Sequence, residues 1–241
     1  MKMIINVNCL EWLEKTDRNF QMIFADPPDS INLKYKGFED QIKPDDYERM
    51  LNNILINGSK KADVIWLSLN PKYTAMAGHV TYNFLKLNPD FEFKPCVQTF
   101  TFGNYNRRDL TNCHRLLWRY KKRVASLYPD AIRVPSWRQL HGDKRANPEG
   151  RIPGDVFNFP RVTGNSKQRR KFSPTQLHEG LYERCIKLCC KPGGTVVDLF
   201  AGSGTLGRVA DACKVNAIMV EYSKETCDNI LADQPDVKEI F

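Results

Sequence analysis

The 241-residue chain has no apolar run approaching the length of a membrane span, and residues 1–8 lack the pattern of a secretory leader. A membrane-embedded or exported protein is not expected, and a reducing cytoplasm is. Its eight cysteines show no C-x-x-C spacing. Cys185, Cys189 and Cys190 follow a helical period, so they read as core thiols rather than metal ligands. The four histidines are equally dispersed, and no metal site is expected. Internal repeats and low-complexity tracts are absent. Acidic residues are scarce in one place only. Residues 104–171 hold 5 Asp+Glu against 17 Lys+Arg, while the remainder holds 23 against 19. All of the net charge of +8 therefore comes from that stretch. Interleaved with Tyr105, Trp118, Tyr120, Trp137 and Phe157, it reads as a polyanion-binding surface, against the plainer alternative of a solvated basic face.

What is present is organised around TVVDLFAGSGT at 195–205. A β-branched run ends in Asp198, passes into Gly202-Ser203-Gly204 and continues as a helical pattern over 206–213. Strand, glycine turn and helix together bring backbone N–H groups and a helix N-terminus against a nucleotide-like ligand. Gly207 completes a G-x-G-x-x-G spacing, and Glu221 closes the next apolar run at 215–220, where a carboxylate can accept from two ribose hydroxyls. The loop alone fits a dinucleotide or an S-adenosylmethionine (AdoMet) site, or an ordinary strand-to-helix turn. Position narrows this. With little chain after the loop, the missing strands are expected upstream and the order of elements is expected to be circularly permuted.

Upstream, strands are expected at 2–7 and 21–25, the second running into Asp26-Pro27-Pro28-Asp29. Two prolines force the chain out of the sheet there and leave Asp26 at a strand's carboxyl end, where open α/β sheets place ligands. Helices are expected at 9–15, 45–56 and 73–87, and a buried strand at 62–69. Segments 91–102 and 114–121 read as an antiparallel edge pair. Residues 123–172 are irregular and proline-punctuated, with Trp137, Phe157 and Phe159 to pack. Ser173-Pro174-Thr175-Gln176 carries the marks of a helix start, with Ser173 as cap and Gln176 completing a capping box, for a helix running to about residue 190. The division is therefore 1–122, an insert at 123–172, and 173–241.

The ordered set DPPD, basic insert, SPTQ and FAGSGT resembles the permuted, β-class AdoMet-dependent DNA amino-methyltransferases, which modify adenine N6 or cytosine N4 and serve in restriction–modification. VFNFPRVTG and VPSWRQLHGDKRANPEGRIPGD are also similar to that family's sequence. The resemblance implies a Rossmann-like methyltransferase fold, a mainly parallel seven-stranded sheet with an antiparallel edge and a small target-recognition insert. It implies AdoMet beside Asp198, held by Phe200, Gly202, Gly204 and Thr205, with Glu221 on the ribose. Asn8 would lie by the adenine ring, and Ser173 and Thr175 near the methionine portion. DNA is the implied partner, its target base flipped out of the duplex, and a homodimer is compatible with this. Phosphate contacts and base readout would come from Arg107, Arg108, Arg138, Lys144, Arg145, Arg161, Arg169 and Arg170.

The chemistry gives Asp26 a role. An exocyclic base nitrogen is a weak nucleophile because its lone pair is delocalised into the ring. A carboxylate accepting one N–H, with the Pro27 carbonyl accepting the other, draws it toward tetrahedral geometry and aims a lone pair at the methyl donor. The leading Asp favours adenine, because the family's cytosine enzymes more often carry Ser. Asp29 departs from the family, whose fourth position is an aromatic stacking on the flipped base. Three readings stay open: Tyr35 or Phe38 stacks instead, the pocket takes an unusual base or group, or catalysis is lost and DNA binding remains. Amine methylation of RNA or protein is a weaker reading, and a nicotinamide oxidoreductase weaker still.

Overall fold

Successive residues of a strand face opposite sides of the sheet, so a strand apolar at nearly every position needs cover on both. Strands β2 (Phe20–Ala25), β5 (Ala62–Leu69) and β9 (Thr195–Asp198) are of this kind. In the computed structural model, Met22, Phe24, Trp66 and Val196 pack on one side against α5 (Glu179–Cys189), α6 (Thr205–Cys213) and α7 (Lys224–Asp233). Ile23, Ile65 and Val197 face the other side, with α1 (Cys9–Lys15), α2 (Pro44–Lys61) and α3 (Thr74–Leu87). The structure describes residues 1–240 except 33, 36, 37, 101, 102 and 104–108, with the backbone alone at 34, 35, 38 and 39.

The remaining strands are β1 (Lys2–Asn6), β6 (Phe91–Thr99), β7 (His114–Lys122), β8 (Val156–Asn158), β10 (Asn216–Glu221) and β11 (Lys238–Ile240). One sheet takes the order β11-β1-β10-β9-β2-β5-β7-β6-β8, and a short ribbon joins β3 (Lys34–Tyr35) to β4 (Phe38–Glu39). From β11 to β5 all pairs are parallel, β7 runs antiparallel to both β5 and β6, and β8 runs parallel to β6. The sheet thus has nine strands rather than the expected seven. The additions, β8 and β11, span three residues each at its two edges, too short to carry a legible period.

The chain is permuted as the order of motifs implied. From β9 it crosses by α6 to β10 on one side, and from β2 it proceeds by α2 to β5 on the other. Phe24 lies in register with Asp198, and Leu199 N–H donates to the Phe24 carbonyl at 3.0 Å. This is a topological switch point, where departing connections leave a crevice beyond the strand ends.

One expectation is corrected. The helix expected from Ser173 begins at Glu179, capped by His178, whose Nδ1 accepts from Gly180 N–H at 3.0 Å. Ser173 Oγ instead donates to the Thr175 carbonyl at 2.7 Å, and the Gln176 amide bonds Arg170 N–H and the Gln168 carbonyl. These local side-chain bonds hold 168–178 in an irregular path that competes with helix. Residues 123–172 pack onto the main sheet and its helices. Phe157 joins the main core against Trp66, and Tyr128 N–H donates to the Leu188 carbonyl at 2.8 Å. The same residues carry a 3-10 turn at Pro129–Ile132 and a short α-helix, α4 (Trp137–Leu140). Of the aromatics that punctuate the basic stretch, Trp118, Tyr120 and Phe157 are buried, Tyr105 lies outside the described residues, and Trp137 is exposed.

Candidate active site

The glycine loop is shaped from behind by Asp198. Fully buried, its Oδ1 accepts from Phe200 N–H at 3.1 Å and its Oδ2 from the Tyr182 hydroxyl at 2.9 Å. Burial pushes its carboxyl up to about 7 despite those two bonds. Asp198 therefore sets the turn and does not line the cleft, which corrects its expected place beside the cofactor. Gly202 and Gly204 both have positive φ, +50° and +73°. A Cβ on Gly204 would come within 2.6 Å of Gln234 Nε2, whereas one on Gly202 would meet nothing nearer than 3.7 Å. Gly204 answers to packing behind the loop, and Gly202 keeps its open side to the cleft.

Glu221 ties the loop to β10. Its Oε2 accepts from Gly202 N–H at 2.9 Å and its Oε1 from Ser223 N–H at 2.9 Å. Burial raises its carboxyl while these N–H groups oppose the rise. A carboxylate offers about four acceptor positions, so capacity remains for a diol. Arg208, a residue the motif reading missed, grips the loop by donating to the Ser203 carbonyl at 2.6 Å and Thr205 Oγ1 at 3.1 Å. Its other side meets Glu179 at 2.9 Å.

At the adjacent strand end, β2 delivers Asp26 into the double-proline turn. The two carboxylates of DPPD converge on one cation that sequence reasoning also missed, Arg115 of β7. Its Nη2 donates to Asp26 Oδ1 at 2.8 Å and Asp29 Oδ1 at 3.1 Å, its Nη1 to Asp29 Oδ2 at 2.8 Å, and its Nε to Ser68 Oγ at 3.1 Å. Asp29 is 8% exposed and turned inward. The Tyr73 hydroxyl donates to the Asp29 carbonyl at 3.0 Å, and the Tyr73 ring stacks on Tyr47 at 3.8 Å. Burial raises the Asp26 carboxyl, the Arg115 charge lowers it, and the neighbouring Asp29 raises it again, for a net rise. The one signal for Arg115 was a charge at the loop end of β7, on the face it shares with Leu117, Arg119 and Lys121.

Both strand ends open on one cleft of about 980 Å³. Asp26, Pro27, Pro28 and Asp29 line it, as do Asn8, Ser173, Thr175, Phe200, Gly202, Thr205 and Glu221. Gly204 sits behind, its N–H donating to the Ala201 carbonyl at 2.7 Å. Asn8 Oδ1 caps α1, accepting from Leu10 N–H at 2.9 Å. Of the basic residues named from sequence, Arg161 reaches the cleft, its guanidinium 5.6 Å from the Phe100 ring centroid. Arg138, Lys144 and Arg145 are exposed on the insert. Arg169 and Arg170 are committed within the chain, the first to the Ser173 carbonyl and the second to Asp233 at 2.7 Å. Arg107, Arg108 and the side chains of Tyr35 and Phe38 lie outside the described residues. Cys185, Cys189 and Cys190 are buried in the core, where burial raises each thiol.

A family model for DNA methylases of the N6/N4 class matches residues 20–232. The chain belongs to this family. Among curated relatives, the DNA adenine methyltransferase YhdJ of Escherichia coli (strain K12) is 28% identical over 257 residues, covering 93% of this methylase and 79% of the relative. The structure of the M1.HpyAVI–SAM complex superposes with a TM-score of 0.64 at 18% identity, covering 96% of this chain and 98% of that one. The PvuII cytosine-N4-specific DNA methyltransferase superposes with a TM-score of 0.69 at 13% identity, over 98% and 93%. These likenesses establish a shared methyltransferase fold, and among the described residues no helix is long and apolar enough to cross a membrane.

Proposed function

We propose that this methylase transfers the methyl group of AdoMet to adenine N6 of DNA, on a base drawn out of the duplex. The observation that carries the proposal is the meeting of Asp26 and the glycine loop in one cleft, on adjacent parallel strand ends. The residues present fit AdoMet. Gly202 offers an open backbone face, Glu221 has unused acceptor positions for ribose hydroxyls, and Ser173 and Thr175 line the same cleft. Phe200 and Asn8 would flank its adenine end, Asn8 offering its amide nitrogen because its oxygen caps α1. When bound, AdoMet supplies an electrophilic methyl group.

The chain's own residues prepare the acceptor. Asp26 accepts one amine N–H and the Pro27 carbonyl the other, which localises the nitrogen lone pair and orients it for in-line attack. Arg115 Nη2 donates to the same carboxylate at 2.8 Å. Extruding the base costs a few kcal/mol, offset by contacts in the cleft. Exposed Arg138, Lys144 and Arg145 supply phosphate contacts without sequence information. The leading Asp of DPPD and the adenine methyltransferase named among the relatives support adenine over cytosine.

Purified protein incubated with labelled AdoMet and mixed-sequence duplex DNA, followed by nucleoside analysis, tests this. N6-methyladenine above an Asp26→Ala control is the expected result. N4-methylcytosine would reassign the base, and no transfer to DNA would overturn the proposal.

A further inference from the structure

Asp29 and Arg115 have no meaning singly. A second carboxylate three residues from Asp26 would, without a cation between them, place two like charges together and raise the Asp26 carboxyl. A lone arginine on the inner face of β7 would be a buried cation without a partner. Together they satisfy each other. The two ends of the Asp29 carboxylate meet the two terminal nitrogens of one guanidinium at 2.8 and 3.1 Å. That planar, two-point grip is the geometry an arginine fork favours. The same Nη2 reaches Asp26 Oδ1 at 2.8 Å, and Nε is fixed by Ser68 at 3.1 Å. Four of the five guanidinium N–H groups are thereby spent on one strand neighbour and two carboxylates.

We propose that Arg115 is a positioning residue for methyl transfer: braced by Asp29 and Ser68, it holds the Asp26 carboxylate ionised and fixes its orientation toward the amine. Asp29 is then the brace of this device and not a surface for the flipped base. The inference rests on the reading of Asp26 as the amine acceptor. Orientation follows from the contacts: Oδ1 is held by Nη2, and rotation about the Asp26 side chain would break that bond. Ionisation follows from balance. The groups facing Asp26 are Arg115 from β7, Asp29 from its own turn, Ser68 from β5, Asp198 from β9, Tyr182 from α5 and Tyr47 from α2. Among the described residues, Arg115 is the one cation in this set. His114, Arg161, Lys171 and Glu221 line the cleft farther out. Without Arg115 the site holds Asp26, Asp29 and Asp198 together, and the Asp26 carboxyl loses the charge that opposes its rise.

The test compares wild type with Arg115→Gln, Arg115→Lys and the double variant Arg115→Gln/Asp29→Asn. Single-turnover methyl transfer is measured from pH 5.5 to 9, AdoMet affinity by calorimetry, and urea unfolding across the same range. Arg115→Gln is expected to move the acid limb upward by about one pH unit or more, roughly tenfold in rate on the acid side. AdoMet affinity should stay within about twofold, because the glycine loop makes no contact with Arg115. Arg115→Lys, which keeps the charge but loses the fork, should retain the limb and lose rate at its plateau. The double variant removes cation and brace together and should bring the limb back toward wild type. In urea, Arg115→Gln should lose stability relative to wild type as pH rises from 5 to 8, because its folded state holds a proton that the unfolded chain releases. That arm reads the carboxylate charge without catalysis. A wild type that transfers nothing would therefore end the functional proposal while the urea curves still decide this one. Parallel wild-type and Arg115→Gln unfolding profiles, or an unmoved acid limb, would overturn it.

Discussion

The two halves of the cleft are built by opposite means. Around Gly202–Gly204 the work is done by backbone: positive φ angles, N–H groups and a buried Asp198 that never meets the cleft. Around Asp26 it is done by side chains from remote segments, an arginine 86 and 89 positions away from the two aspartates it joins. Backbone geometry imposes residue types at fixed spacing and so is legible in sequence. An ion pair across the fold imposes only complementary charge.

The largest contrast comes from disabling each half separately. Asp26→Ala should abolish transfer, a loss of about 10³-fold or more for an acceptor poised at the reacting nitrogen, with AdoMet binding retained by calorimetry. Gly204→Val should do the reverse. It places a branched side chain at φ +73°, with a Cβ 2.6 Å from Gln234 Nε2, costing about 2–4 kcal/mol in urea unfolding and eliminating cofactor binding. Equal loss of binding in both variants would mean that the halves are not separable.

The comparison sharpens at Asp198, whose carboxyl burial pushes up to about 7. Its folded value exceeds the unfolded one of about 3.9, so its contribution to stability is present below pH 4 and lost as pH rises toward 7. Asp198→Asn keeps partners, since the Tyr182 hydroxyl can accept as well as donate. It should flatten the fall in unfolding free energy between pH 4 and 7 by roughly 2–4 kcal/mol. A curve as steep as wild type would assign the raised acid elsewhere.

A smaller effect separates the two loop glycines. Gly202→Ala has space but an unfavourable φ, so about 1 kcal/mol of stability is expected to be lost, with a weakened AdoMet affinity from the blocked cleft face. The smallest effects lie on the insert. Neutralising Arg138 and Lys144 together should leave unfolding unchanged and reduce the salt slope of DNA binding by about 1 for each phosphate left without its cation. Neutralising Arg170 should instead lower stability, since it is paired to Asp233.

The sequence was legible where pattern and geometry coincide. The strand at Ala62–Leu69, the helix at Cys9–Lys15 and the glycine turn lie where the residues placed them. Ser173 misled because its hydroxyl bonds the Thr175 carbonyl instead of capping a helix. Trp118, Tyr120 and Phe157 misled because strand alternation buries aromatics as readily as it displays them beside basic residues. Asp29 looked like a defect in a motif until Arg115, on a distant strand, gave it a partner.

A structure with AdoMet and duplex DNA bound gives the separation between Asp26 and the donor methyl. In-line attack needs about 3–3.5 Å between amine nitrogen and methyl carbon, and the amine hydrogen bond spans about 2.9 Å. The account predicts the Asp26 carboxylate within about 6.5 Å of the donor methyl, with the base amine between them. A cofactor seated on the glycine loop with its methyl turned away from Asp26, or a base held elsewhere, would contradict it.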